Sequence, residues 1–445
     1  MSHQTEKTRE LVLWFFLPVL FSLLFVRLIY FQITEADFSF DKIDNRISQS
    51  KVIKSSRGKI VDRNDRILAE DIIFYDIGID LNYFSYKPDE IKFISDLLNI
   101  EEQNLRERSS NQRLKFIQIS KKVNREKVEA LKKEKIQGLV FDEKYYRNYP
   151  EGEAFSQLIG ITDINNDGLQ GIELSFQKSL DSSDGRIDLK RDGNGKVIEE
   201  VIIPEKDGDL IKLSIDSDYQ FIVFDELKRA VIENNASNAS AIMIDLDTEE
   251  ILAITNYPSF NPNDRKSLSD ISLVTNKASI SLLEPGSVLK PLSISLALDD
   301  ELINEDTLID TNPGWVEFED YRTEDFRNYG ILSVSEVIAK SSNVGTVKIC
   351  SQMNKSRVIS GIRSFGIGEY FSEMFLNHRE GFLPGEQNIS LRGLVSLCYG
   401  YGLQTTLLHI AKAYTGILND GIEANLKIIS SESNEIRRRI LKKET

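Results

Sequence analysis

Histidine and cysteine are nearly absent from this chain, three of the former and two of the latter in 445 residues. Two cysteines are no disulfide framework, and neither Cys350 nor Cys398 stands in a C-x-x-C or metal-ligand spacing. They read as buried small hydrophobes rather than as a bridge. His3, His378 and His409 are scattered, with no H-E-x-x-H and no G-x-S-x-G string, which disfavours zinc hydrolysis and a Ser-His-Asp site. No metal and no cofactor is expected. A phosphate loop is missing too: "RDGNGK", residues 191–196, has glycines beside a lysine but reads as a hairpin turn. Basic residues are in deficit, 55 Lys and Arg against 70 Asp and Glu for a net charge of −15. That balance is unsuited to a phosphate backbone, so nucleic acid is not an expected partner. No period of 20 to 50 residues recurs, which excludes a repeat array.

A chain of this length suggests two domains or more, and its 41% hydrophobic content is ample for their cores. Residues 11–33, "LVLWFFLPVLFSLLFVRLIYFQI", are apolar except for Ser22, Arg27 and Gln32. About twenty such residues of helix span a ~30 Å hydrocarbon layer, and Arg27 is placed to snorkel toward an interface. Lys7 and Arg9 precede the run while Glu35, Asp37 and Asp41 follow it. The positive-inside rule therefore puts residues 1–10 in the cytoplasm as a short tail. With no small-residue cleavage site after it, the segment reads as a retained anchor.

Residues 41–215 mix short β-type runs such as "IIFYDIGID" with charged helical stretches such as "NREKVEALKKEK". Helical periodicity in "DYQFIVFDELKRAVIENN" and then a hairpin signal in "SAIMIDLDTEEILAITNYP" open a second domain over 216–445. Helical segments are expected after it at 288–302, 333–351, 355–365, 389–399 and 406–419, an α+β character overall.

The string "EPGSVLKP" places Ser287 and Lys290 three residues apart. Ser-x-x-Lys alone is weak, since it recurs at Ser39/Lys42, Ser48/Lys51, Ser56/Lys59 and Ser175/Lys178. The backbone separates this copy from the others. Pro291 cannot donate a helical hydrogen bond and fits only at the start of a helix, so residues 287–290 form the first turn, with 3₁₀ character an option. Serine and lysine then share one face. A serine hydroxyl needs a base to become a nucleophile, and a lysine serves only if its pKa falls by about three units, ~4 kcal/mol. In "AKSSNVGTVKI", Ser341 and Asn343 bracket one residue at the entrance to another helix. Read alone this is an N-cap; beside the first motif it is a second wall of the same site.

These strings resemble the class B penicillin-binding proteins, and among them the division-specific peptidoglycan transpeptidases, a superfamily marked by S-x-x-K, S-D-N and K-T-G elements, with Asn343 in the usual third position of the second. "SSRGKIVDRNDRILAE" is similar to the signature that opens the family's non-catalytic domain, with Asp65 where a glycine is usual. "RNYPEGEAFSQLIGITDINNDGLQGIELSFQKSL", "YPSFNPND" and "CYGYGLQTTLLHIAKAYTGILNDG" extend the likeness over most of 11–435. The resemblance implies an α+β multidomain fold: an N-terminal transmembrane helix at 11–33, a mixed pedestal domain of the dimerisation type at 41–215, and a serine β-lactamase/transpeptidase-like domain at 216–445.

It also implies chemistry. Ser287 would attack the penultimate D-Ala carbonyl of a stem peptide, Lys290 would be the general base, Ser341 would relay a proton to the leaving group, and Asn343 would bind substrate. An amine of a neighbouring stem peptide would resolve the acyl-enzyme into a cross-link, and β-lactams would acylate the same serine. The implied setting is the inner membrane with the bulk of the chain outside the cytoplasm, among division-complex proteins that include a glycosyltransferase.

No Lys-Thr-Gly occurs in the 445 residues; "AYTGIL" is a helix interior, and "NEIRRRIL" at 434–441 reads as the helix that precedes the K-T-G strand. The domain is therefore expected to be incomplete at its C-terminus, with an unpaired apolar edge on the 240–256 hairpin. The isolated chain is expected to label weakly or not at all with fluorescent penicillin. The alternative function is an inactive, membrane-anchored scaffold of the division complex, with a β-lactam sensor or an elongation-type relative as a further option.

Overall fold

The computed structural model describes residues 2–30, 48–85, 87–110, 114–191, 197–264, 270–318, 321–370, 378–429 and 437–445. It divides into two compact units, Met1–Ser55 with Ser182–Asp207, and Ser56–Asp181 with Gly208–Thr445.

The first unit contains helix α1 (Ser2–Tyr30) and strand β1 (Ser48–Ile53). The helix carries the described part of the apolar N-terminal run, and Trp14, Phe16, Leu20, Phe25 and Tyr30 on it are exposed. Among the described residues no helix is long and apolar enough to cross a membrane. Asp184 ties the end of β1 to the returning chain, accepting from the Ser55 amide at 3.0 Å.

In the second unit, β2 (Ile60–Val61) leads into the long β3 (Ile67–Asp80), which supplies the run "IIFYDIGID". Between them Asp65 takes φ 64°, the left-handed region where the family's usual glycine is at ease, and it pairs with Lys212 at 2.7 Å. Helices α2 (Pro88–Leu98) and α3 (Glu102–Ser109), strand β4 (Phe116–Val123), helix α4 (Arg125–Lys133) and strand β5 (Leu139–Asn148) follow. Proline at the first turn of α2 and an Asn124 side chain accepting from the Lys127 amide at α4 mark their starts. Ile77, Ile79, Ile91, Ile94, Leu105 and Leu131 bury the helices on the sheet.

Strands β6 (Gly185–Arg191) and β7 (Val197–Ile203) complete an antiparallel three-stranded sheet with β1 in the first unit. Their pairing makes the expected hairpin; its turn at 192–196 lies outside the described residues. Strand β8 (Ile211–Lys212) pairs in parallel with β2, giving the second unit a sheet ordered β4-β3-β2-β8 with β5 also on β3.

Helix α5 (Ser217–Glu233), capped by the Asp216 carboxylate, packs on the hairpin β9 (Ala239–Ile244) and β10 (Ile251–Tyr257). Strand β10 is buried along nearly all its length, whereas every residue of β9 is half-buried, and among the described residues β9 pairs with β10 alone. Helix α6 (Lys290–Asp299) has no polar face: Leu292, Ile294, Leu296 and Ala297 are all buried, so it sits at the centre of its domain.

Around α6 lie the short strands β11 (Leu308–Asp310), β12 (Trp315–Phe318), β13 (Tyr321–Glu324) and β14 (Ile331–Ser333), with β11 paired to β14 and β12 to β13. Helices α7 (Asn343–Cys350), α8 (Lys355–Ser364), α9 (Leu391–Cys398) and α10 (Leu407–Leu418) complete the surround.

Three expectations are corrected. The single helix foreseen at 333–351 is two, Val334–Ala339 and α7, because Ser341 adopts φ 55° between them. Cys350 and Cys398 are buried as expected, yet they are joined in a disulfide with Cα atoms 6.4 Å apart. Sequence spacing cannot show this, because helix packing brings together residues 48 apart. Finally, the described part of "NEIRRRIL", residues 437–441, is not helical. The Glu423 amide donates to the Arg438 carbonyl, Ile440 donates to Gly421, and Arg437 reaches Glu249, so the chain bonds sideways instead of coiling.

Candidate active site

Two left-handed glycines set the entry to α6. Gly286 at φ 57° donates its amide to the carbonyl of Gly400, itself at φ 91°, over 2.9 Å. A Cβ on Gly400 would lie 1.9 Å from the Gly286 oxygen, so only glycine permits the approach. Gly286–Leu289 then form a 3₁₀ turn that runs directly into α6, with Pro291 inside the first turn where a missing N–H costs nothing. Ser287 is exposed on that turn, and Lys290, the first residue of α6, is 1% exposed. From α10 the Tyr414 hydroxyl donates to the Val288 carbonyl at 2.7 Å and holds the turn from outside.

The second motif divides its labour. Ser342, the middle residue, is the N-cap of α7: its Oγ accepts from the Gly345 amide at 2.8 Å and donates to Asp325 at 2.6 Å. The other Asp325 oxygen accepts from the Val344 amide at 3.0 Å, placing a carboxylate at a helix N-terminus where the backbone favours it. Because the cap falls on Ser342, the flanking side chains are free of that duty. Asn343 donates to the Glu324 carbonyl at the end of β13 over 3.0 Å, which turns its Oδ1 the other way.

The two motifs meet at Lys290. Its Nζ donates to the Ser341 carbonyl at 2.6 Å, to Ser341 Oγ at 3.0 Å and to Asn343 Oδ1 at 2.8 Å. Three acceptors match the three protons of an ammonium; none of these bonds goes to Ser287. Burial lowers the Lys290 pKa from its ordinary 10.5 to about 8, against the pull of the Asp325 charge in the other direction. Loss of one proton leaves a lone pair beside the Ser341 hydroxyl while the amine keeps donating to its other two acceptors. The arrangement therefore holds a base that titrates near neutrality, a hydroxyl to pass its proton on, and an exposed serine one turn away.

Ser287, Lys290, Ser341 and Asn343 thus lie on two adjoining walls, and Lys290, Ser341 and Asn343 are in direct hydrogen-bond contact. Sequence reasoning missed three supports. Asp325, alone in an unremarkable stretch, gave no signal. Ser342 offered one, a serine three residues before Gly345 at a helix start. Gly400 offered another, in the string Y-G-Y-G. Among the described residues no cluster of acidic, histidine or cysteine side chains forms a metal site.

The fold is an α+β pair of domains carrying a serine and a buried lysine at the head of a central helix. Residues 239–445 match the family described as the penicillin binding protein transpeptidase domain, and residues 52–213 match the penicillin-binding protein dimerisation domain. The chain is 33% identical to the peptidoglycan D,D-transpeptidase FtsI of Buchnera aphidicola subsp. Schizaphis graminum, over 95% of this chain and 75% of that one. It is 31% identical to FtsI of Escherichia coli, over 90% of this chain and 69% of that one. Among solved structures, penicillin binding protein 2X of Streptococcus thermophilus shares the fold with a TM-score of 0.74 at 20% identity, covering 89% of this chain and 64% of the other. The chain belongs to the penicillin-binding-protein transpeptidase family.

Proposed function

We propose that this protein is a serine D,D-transpeptidase that cross-links peptidoglycan stem peptides during septal wall synthesis. The observation that carries the reading is the buried Lys290 ammonium held by Ser341 and Asn343 beside the exposed Ser287 turn. Neutral Lys290 takes the Ser287 proton as Oγ attacks the D-Ala carbonyl. The proton then moves from Nζ to Ser341 Oγ and on to the departing D-Ala amine as the tetrahedral adduct collapses to the acyl-enzyme. Asn343 orients the substrate amide. An amine of a second stem peptide attacks the ester and restores Ser287. A β-lactam enters by the same first step and stays, having no separate leaving amine to depart.

The likeness to the named FtsI proteins supports a setting in the division complex, beside its membrane glycosyltransferase, with residues 11–33 as a single inner-membrane span and 1–10 inside. The working division of the chain is a pedestal at 41–215 and a transpeptidase domain at 216–445. A second reading, a membrane-anchored scaffold that does not turn over, draws on the Lys290 ammonium bonding to Ser341 and Asn343 rather than to Ser287.

Fluorescent penicillin separates the two. Envelope preparations and the isolated chain are labelled, digested and mapped by mass spectrometry, with Ser287→Ala as control. The adduct is expected on Ser287 alone, strong in envelope preparations and weak in the isolated chain, and absent from the variant. An adduct elsewhere would overturn the assignment of the nucleophile, and no adduct in either preparation would favour the scaffold.

A further inference from the structure

The two cysteines play no part in the chemistry above, yet both are fixed to the elements that carry it. Cys350 is the last residue of α7, whose first residue is Asn343; at 1.5 Å per residue the helix places them about 10 Å apart on one rigid rod. Cys398 is the last residue of α9, and its carbonyl accepts from Ser293 Oγ at 2.6 Å. Ser293 stands one turn after Lys290 on α6, and two residues beyond Cys398 the Gly400 carbonyl accepts the Gly286 amide at 2.9 Å. A ring results: Lys290, Asn343, α7, the Cys350–Cys398 bridge, Ser293 and back to Lys290. The sulfur bridge joins α7 to α9 covalently, and the Ser293–Cys398 hydrogen bond carries the link on to α6. The Cα separation of 6.4 Å lies within the range a disulfide spans.

We infer that the Cys350–Cys398 disulfide is a positioning device for the transpeptidase site, holding α7 on α6 so that Ser341 and Asn343 stay on Lys290. The chain therefore depends on an oxidation step before it can work. Two thiols give up two protons and two electrons as the sulfur–sulfur bond forms, and the acceptor is a disulfide of an extracytoplasmic oxidoreductase, which leaves as a dithiol. Cys350 and Cys398 are 2% and 0% exposed, so that exchange takes place before the helices close over them. The inference rests on the proposed function in taking Lys290 as the working base and in placing this domain outside the cytoplasm, and its test does not need turnover.

The full chain is first denatured without reductant and its thiols are titrated. No free thiol is expected after expression in an oxidising compartment, and two would overturn the proposal. Lysine labelled at the ε-carbon is then titrated by NMR in oxidised protein, in protein reduced with a phosphine in urea and refolded, and in the Cys350→Ala/Cys398→Ala double variant, with Lys290→Arg to assign the signal. The Lys290 midpoint is expected near 8 when oxidised. It should rise by about one unit or more on reduction and in the variant, as water and alternative rotamers reach a loosened pair. Reoxidation restores it, and helical circular dichroism is unchanged throughout. One midpoint in all forms, or loss of fold in both reduced protein and variant, would refute positioning and leave the bridge a stability staple. Failure of penicillin labelling with the midpoint shift intact would count against the proposed function and not against the bridge.

Discussion

At pH 7.5 a lysine with its ordinary pKa is neutral in roughly one molecule per thousand, whereas one titrating near 8 is neutral in about a quarter of them. Burial, partly offset by the Asp325 charge, moves Lys290 from 10.5 to about 8, which corresponds to ~3 kcal/mol and ~200-fold more base. Acylation of Ser287 is therefore expected to rise about tenfold per pH unit up to about 8 and then level off. Replacing Asn343 by Asp sets a carboxylate where Oδ1 now lies 2.8 Å from Nζ. An opposite charge at that distance raises a lysine pKa by ~1–3 units, so acylation at pH 7 falls at least about tenfold and the profile moves to higher pH.

The same shift has a thermodynamic side. Between pH 8 and 10.5 the unfolded chain holds a proton on Lys290 that the folded chain has lost, so stability rises with pH through that window, by up to ~3 kcal/mol from this group. Below pH 8 both states are protonated and the folded one carries the full desolvation penalty. Urea unfolding at pH 7 and 10 of the wild type and Lys290→Met isolates the contribution. NMR titration of the ε-carbon reads the pKa directly, and a midpoint near 10 with a flat acylation profile from pH 6 to 8 would refute the reasoning.

Ser342→Ala removes the cap of α7 and the bond to Asp325; a loss of ~1–2 kcal/mol in urea unfolding is expected, whereas Ser341→Ala, which caps nothing, should change stability much less while slowing acylation. Gly400→Ala drives a methyl into the Gly286 carbonyl at 1.9 Å; a lower melting temperature and loss of Ser287 labelling are expected together, and intact labelling would show that the turn yields. Glu173 is fully buried and accepts from Arg57 Nε and Arg147 Nε, each at 2.7 Å. Glu173→Ala removes the carboxylate shared by two buried guanidinium groups, leaving Arg147 its pair with Asp71 and Arg57 the residue-173 carbonyl, and should cost ~3–5 kcal/mol in equilibrium unfolding, more than any surface ion pair of the pedestal.

Much of the site was legible because its chemistry is local. Pro291 fixed the start of a helix, and the helix start put Ser287 and Lys290 on one turn; both follow from backbone sterics that act over four residues. The hairpin β9–β10 and helix α5 were readable for the same reason, through side-chain period and turn residues. Long-range pairing was not. Nothing near Asp325 marks it as the partner of Ser342, and nothing near Cys350 marks Cys398. The string at 434–441 misled because Arg437 and Arg438 are bonded to Glu249 and Ser364, far away in the chain.

By itself, then, the sequence determined which residue types stand at the heads of α6 and α7, since prolines, glycines and caps act on their immediate neighbours. The tertiary structure alone decided that Lys290 is buried, that its three protons go to Ser341 and Asn343, and that its pKa falls to about 8. Desolvation and hydrogen-bond direction depend on what packs around a group, and residues 51 to 53 positions away supply that packing only after the chain has folded.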